Sequence, residues 1–201
     1  MPIWKRRLED WFESNSYHLN KEIEFEELEA DGACKIKFIS PGNNLLKINW
    51  GNKNHLNFLT DIKNSDGVFL EFEGDKAIAL HFVELKRTIS LGKWTEVKGQ
   101  IRGSLKHSLG FLGVLNIPIP NKLVCHTGFQ IDSTEQESQA KFADKKPLIG
   151  QKMPRRKNET LLKEWLQETV EISQVFPEFE HHKHQLIAQT DGPLPTKKVV
   201  L

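Results

Sequence analysis

From Ala77 to Lys86 the chain reads AIALHFVELK, with Ile78, Leu80, Phe82, Glu84 and Lys86 alternating against Ala79, His81, Val83 and Leu85. A period of two places these sets on opposite faces of a strand. Both faces are apolar for most of its length, and one turns polar only at the C-terminal end, where open sheets place their sites. Gly67 to Phe72 (GVFLEF) is its predicted antiparallel partner across the turn Glu73-Gly74-Asp75-Lys76. Cys34 to Ile39 (CKIKFI) and Leu45 to Trp50 (LLKINW) form a second predicted hairpin around Ser40-Pro41-Gly42-Asn43-Asn44, and Ile23 to Leu28 alternates apolar residues with glutamates as a further strand.

The period changes twice to that of a helix. Trp4, Leu8, Trp11 and Phe12 predict a short amphipathic helix with Lys5, Arg6 and Arg7 outward. From Trp94 onward, Val97, Ile101, Leu105, Ser108 and Leu112 continue one stripe, while Lys98, Arg102 and Lys106 recur every four residues as a basic ridge. Pro118 and Pro120 end this helix, and Lys122 to Phe129 (KLVCHTGF) is one more strand. Strand, helix, strand in this order predicts an α/β core with a central mixed sheet flanked by helices. Residues 1–130 are read as that core with its N-terminal helix and strands, and residues 131–157, with Lys145-Lys146 and Arg155-Arg156-Lys157, as a basic polar arm. Residues 158–201 are read as a C-terminal helical extension, from Asn158 or Glu159 to about Ser173 on the stripe Leu161, Leu162, Trp165, Leu166 and Val170. The patternless tail after it packs on the core.

Composition narrows the function classes. The 201 residues are 38% hydrophobic, enough for one compact domain with extensions. With 28 Lys plus Arg against 27 Asp plus Glu, a net charge of +1 supplies no global attraction to nucleic acid or anionic membranes, so any such surface is a local patch. Cys34 and Cys125 stand in separate apolar runs without metal-ligand spacing, and no secretory or membrane-spanning segment is visible, which predicts a cytoplasmic, soluble protein with packed thiols.

Asp66, beginning one strand, and Glu84, near the end of its partner, meet at one edge of the predicted hairpin, and Lys86 follows on Glu84's face. Two acids in reach suffice for magnesium, which keeps several waters, and a lysine beside them can orient or help deprotonate a water or stabilise developing charge. With this motif and order of elements, Asn57 to Phe129 resembles the PD-(D/E)xK nuclease superfamily, of restriction-endonuclease-like fold. The resemblance implies metal-binding roles for Asp66, Glu84 and the Leu85 backbone carbonyl, and catalytic roles for Asp66, Glu84, Lys86 and Gln100. Ser65 stands where the name-giving proline would be, and the upstream glutamate is open among Glu9, Glu13, Glu26 and Glu27.

The resemblance implies a magnesium-dependent nuclease, with manganese as a substitute, acting on DNA rather than RNA, and Lys98, Arg102 and Lys106 as the first nucleic-acid-binding surface. A small nuclease without an obvious recognition domain is expected to be held in check by a regulatory protein, a homodimer or a ligand, as in bacterial anti-phage or restriction systems, an expectation by analogy. The alternative is a non-catalytic binding or assembly subunit retaining the same fold. His181, His182 and His184 match no zinc spacing and are expected in an exposed tail, while His107 and His126 are expected to be packed or surface residues.

Overall fold

The computed structural model describes residues 1–27, 34–49, 63–137, 155–176, 178–187 and 196–201. Three layers are stacked. The central one is a seven-stranded sheet in the order β1 (Tyr17–Asn20), β4 (Asn44–Ile48), β5 (Gly67–Glu73), β6 (Lys76–Ile89), β7 (Lys122–Asp132), β9 (Phe179–Gln185), β8 (Thr169–Val170). One face carries the helices α1 (Ile3–Trp11), α2 (Leu91–Leu115) and α3 (Arg155–Leu166). The other carries a three-stranded sheet in the order β10 (Thr196–Val200), β3 (Cys34–Ile39), β2 (Glu22–Glu27).

The period-two runs explain the layers. β4, β5 and β6 are antiparallel neighbours, α2 then crosses over, and β7 returns parallel to β6 with Glu84 opposite Thr127 and Lys86 opposite Phe129. Leu46, Val68, Leu70, Leu80 and Phe82 point toward α2, whose Trp94, Val97, Ile101, Leu105 and Leu112 close that core. The alternate set, Leu45, Phe69, Val83 and Leu85, meets Ile23, Phe25, Ile36 and Phe38 of the small sheet. Both thiols are buried; burial raises the Cys34 pKa to about 11 and that of Cys125 higher still.

The mixed α/β reading stands, with β6 extending three residues past Lys86 and α2 beginning three before Trp94. No described helix is long and apolar enough to cross a membrane. The C-terminal region differs from expectation. The last helix covers Arg155–Leu166, so Arg155, Arg156 and Lys157 belong to it rather than to an arm, and it stops well before Ser173. The segment expected as an exposed tail supplies β9, inserted between β7 and β8, and β10, parallel to β3. Leu28, Trp50, Asn57 and the Lys145-Lys146 part of the arm lie outside the described residues.

Candidate active site

Asp66 ends the segment that leads into β5, and α2 fixes that segment. An added Cβ at Gly103 would come within 1.9 Å of the Lys63 carbonyl oxygen, so only glycine lets the two backbones approach this closely. The neighbouring Ser104 Oγ accepts from Ser65 N at 2.8 Å and shares a 2.8 Å hydrogen bond with Ser65 Oγ, which donates to the Gly67 carbonyl at 3.1 Å. Ser65, at the proline position of the resembled motif, is thus a buried clamp on the turn that delivers Asp66.

Beyond Gly67 opposite Val83 the β5–β6 ladder ends, and Asp66 continues it with its side chain. Asp66 Oδ2 accepts from Leu85 N at 2.6 Å, and Asp66 N donates to Glu84 Oε2 at 3.2 Å. In a strand the N–H and C=O of one residue leave the same edge, so the Leu85 carbonyl also faces the Asp66 side. Glu84 is 0% exposed, and its Oε1 touches the Lys86 ammonium without satisfying hydrogen-bond geometry. Asp66, Glu84, Leu85 and Lys86 are therefore brought together as the motif requires.

Burial is the chief cause raising both carboxyl pKa values, and for Asp66 the Glu84 charge adds to it; Asp66 is itself an exposed residue, so desolvation weighs most on the fully buried Glu84. Two acids in this position titrate as a coupled pair and retain a proton where isolated carboxyls would have lost theirs. Burial opposes the Lys86 charge, but Glu84 and Asp66 outweigh it and hold the lysine pKa above its ordinary value.

A third acid comes from the other layer. Ile23 and Phe25 point inward from β2, and Phe25 lies so close over Gly67 that a Cβ there would fall 2.1 Å from its ring. Glu27, two residues on, shares that inward parity, and its charge acts on Asp66, Glu84 and Lys86. Of the four open glutamates it is the one whose charge acts on the pair. Glu26 pairs with Lys35, and Glu9 lies on α1, which packs at the far end against Asp75 and Val114.

Gln100 is half-buried on α2 and, with Lys86, lines a cleft of about 720 Å³ whose wall also includes Lys63, Arg87, Lys93 and Glu96. The basic ridge beyond it is a docking face. Lys98 pairs with Glu164 of α3, and Arg102 Nε donates to the Ile172 carbonyl at 2.9 Å, while Lys106 is half-buried. Trp165, locked between Trp94 and Phe129, completes this attachment. Lys98 is thereby withdrawn from the expected exposed ridge, and Arg102, still exposed, is tied to a neighbouring carbonyl. On the wall of the cleft Lys63 and Arg87 are exposed, and Lys93 pairs with Glu96 at 2.9 Å.

The donors suit a hard cation. They are carboxylate and carbonyl oxygens, with one buried carboxylate oxygen lacking a well-formed hydrogen bond. Among the described residues no group of three or more His, Cys, Asp or Glu side chains is arranged to hold a metal, which leaves two carboxylates, a carbonyl and water as the donor set. Sequence reasoning missed the histidines as a group. His81, His126 and His184 form a row in the layer between the sheets, His181 is buried against Trp94 and Trp165, and His107 is packed with Nδ1 donating to the Gly103 carbonyl. No family model, no curated protein and no solved structure matches this chain.

Proposed function

We propose that this protein is a magnesium-dependent nuclease of the PD-(D/E)xK type, hydrolysing phosphodiester bonds in DNA, with manganese able to substitute. The observation that carries the reading is the meeting of Asp66, Glu84 and Lys86 at the point where the β5–β6 ladder ends. The antiparallel β4–β5–β6 set, followed by α2 and a parallel β7, supports it, since that order accompanies the motif in the resembled superfamily.

A magnesium ion held there would neutralise charge developing on the phosphate and lower the pKa of a water. Asp66, Glu84 and the Leu85 carbonyl would hold it, with Glu27 adding negative charge to the site. Lys86 keeps its proton at neutral pH, so its ammonium orients the attacking water and steadies the extra charge on phosphate rather than acting as a base. Gln100 lines the cleft that receives the strand, and Lys63, Arg87 and Lys93 hold phosphates flanking the scissile one.

One observation favours the other reading, a non-catalytic assembly subunit: Glu84 and Lys86 already neutralise each other. Cleavage of plasmid, linear duplex, single-stranded DNA and structured RNA, with magnesium, manganese or chelator, separates the two. The nuclease cuts DNA only with metal, and Lys86→Ala lowers the rate by about two orders of magnitude or more. Equal cutting by wild type and Lys86→Ala would sink the assignment. Complex formation with a protein partner that persists in chelator, with neither cutting nor calorimetric magnesium binding, would support the assembly subunit.

A further inference from the structure

On the face of the central sheet opposite the candidate site, four polar side chains cross four adjacent strands. Glu71 of β5 faces His81 of β6, His81 Nδ1 meets His126 Nε2 of β7 at 2.9 Å, and His126 Nδ1 meets His184 Nε2 of β9 at 3.0 Å. This row lies in the apolar layer beneath the small sheet. Phe69 stacks on His81 with centroids 4.3 Å apart, and Phe38 of β3 sets its ring edge against His126 at 4.7 Å.

The row has one low-energy polarity. Contacts from His81 and Asn43 hold the Glu71 carboxyl below the ordinary range, so it is ionised, and Asn43 Nδ2 donates to it at 2.7 Å. His81 Nε2 makes no well-formed hydrogen bond but stands 3.5 Å from Glu71 Oε2, and the carboxylate charge at that distance favours a proton on that nitrogen. His81 Nδ1 then accepts from His126 Nε2–H, and His126 Nδ1 accepts from His184 Nε2–H. All three rings are thus neutral Nε2–H tautomers, and the one acceptor left at the outer end is Nδ1 of the half-buried His184.

We propose that Glu71, His81, His126 and His184 form a proton-operated lock between the two sheets: the neutral row keeps the three-stranded sheet seated, and proton uptake at His184 releases it. A proton bound at His184 Nδ1 either stays as an imidazolium or shifts along the row. In the second case each Nε2–H passes to the next Nδ1, and the last proton neutralises Glu71.

Both outcomes remove the anion-to-imidazole contact or place a cation among Phe38, Phe69, Val83 and Leu186. The surrounding charges make a cation unwelcome. Lys122 acts on His81, His182 and Lys197 act on His184, and both His181 and His182 act on His126. Besides Glu71, the nearby acid is Glu180, which is bonded to Lys122 and His182. Burial accordingly depresses the pKa of all three rings, that of His184 to about 4. On the nuclease reading release also withdraws Glu27, carried by β2, from Asp66 and Glu84. The lock itself does not depend on that reading, because it is measured without cleavage.

Side-chain nitrogen NMR and amide hydrogen exchange on the full chain, from about pH 7.5 down to about 3.5, test this. The expected result is three Nε2–H rings at neutral pH and cooperative proton uptake at acid pH. Exchange of the β2, β3 and β10 amides should then rise at least tenfold relative to β5, β6 and β7. His126→Phe, which keeps an aromatic ring but carries no proton, should abolish that differential acceleration. Should it not fold, Glu71→Gln is expected to mix the tautomers and move release to higher pH. Rings titrating independently near the ordinary histidine value, or a small sheet that opens only together with β5 to β7, would overturn the proposal.

Discussion

Holding Asp66 beside a fully buried Glu84 works against the fold once both ionise. A carboxyl whose folded-state pKa is raised contributes most stability below its unfolded value, near 4, and that contribution is lost as pH rises through the folded value. For Glu84 alone, displaced from 4.5 to about 7, the loss on the alkaline side is on the order of 3 kcal/mol. Asp66→Asn keeps an acceptor for Leu85 N and removes one charge, so the variant should unfold several degrees higher than wild type near pH 8 in chelator. Magnesium at about a hundred times its Kd should add roughly 3 kcal/mol to wild type and nothing to the variant. Thermal denaturation with and without the cation reads both effects; an Asp66→Asn protein that keeps the magnesium increment would remove Asp66 from the site. At this scale Asp66, Glu84 and Lys86 were legible because period two and one hairpin register suffice to place them. Glu27 was not, because its approach depends on Phe25 closing over Gly67 from a different sheet, a meeting that no local pattern encodes.

The segment carrying Asp66 is held by α2 rather than by its own strand. Ser104→Ala strips the buried Ser65 N–H of its acceptor, which should cost about 1–3 kcal/mol. It should weaken magnesium binding as well, since the turn that aims Asp66 loosens; unchanged calorimetric affinity would show that the clamp is structural alone. The basic residues divide by element. Lys98 ties α2 to α3, and Arg102 ties it to the Ile172 carbonyl beyond β8, so Lys98→Ala should lower stability by roughly 1 kcal/mol and leave the salt dependence of DNA binding unaltered. Replacing Lys93 or Arg87 should flatten the log–log salt slope by about one unit for each phosphate left without its cation. The reverse pattern would return the interface to the ridge. Periodicity recovered β3 to β7 and α2 because their buried stripes are aliphatic or aromatic. It missed β9, whose sequence FEHHKHQ buries Phe179 and His181, because histidine reads as polar until neighbouring strands supply its partners. The two-residue β8 reads in sequence as the end of the last helix, because Val170 falls on the spacing of its stripe, and the KK-bearing β10 presents too few apolar positions to register at all.

Across the whole molecule the two buried polar systems pull stability in opposite directions with pH. His81, His126, His181 and His184 all have depressed folded-state values, so their contribution is complete above about pH 6.5 and is lost as pH falls toward the folded values, near 4 for His184 and near 3 for His181. Glu71, also depressed, is lost on the same acid side. Asp66 and Glu84 act oppositely, losing stability as pH rises above the carboxylate range. Between about pH 4 and 6.5 the histidines outnumber the acids and stability climbs; above that only the acids still titrate, and it falls. The expected Tm profile is a dome with its top near pH 6.5, and its two limbs separate by treatment. Saturating magnesium should lift the alkaline limb and leave the acid limb in place, because the cation competes only with protons on the acids. His126→Phe should flatten the acid limb and leave the alkaline one, because its row lies on the opposite face of the sheet. Magnesium that raises both limbs equally would place its binding away from Asp66 and Glu84, and an acid limb untouched by His126→Phe would assign it to His181 packed against Trp94.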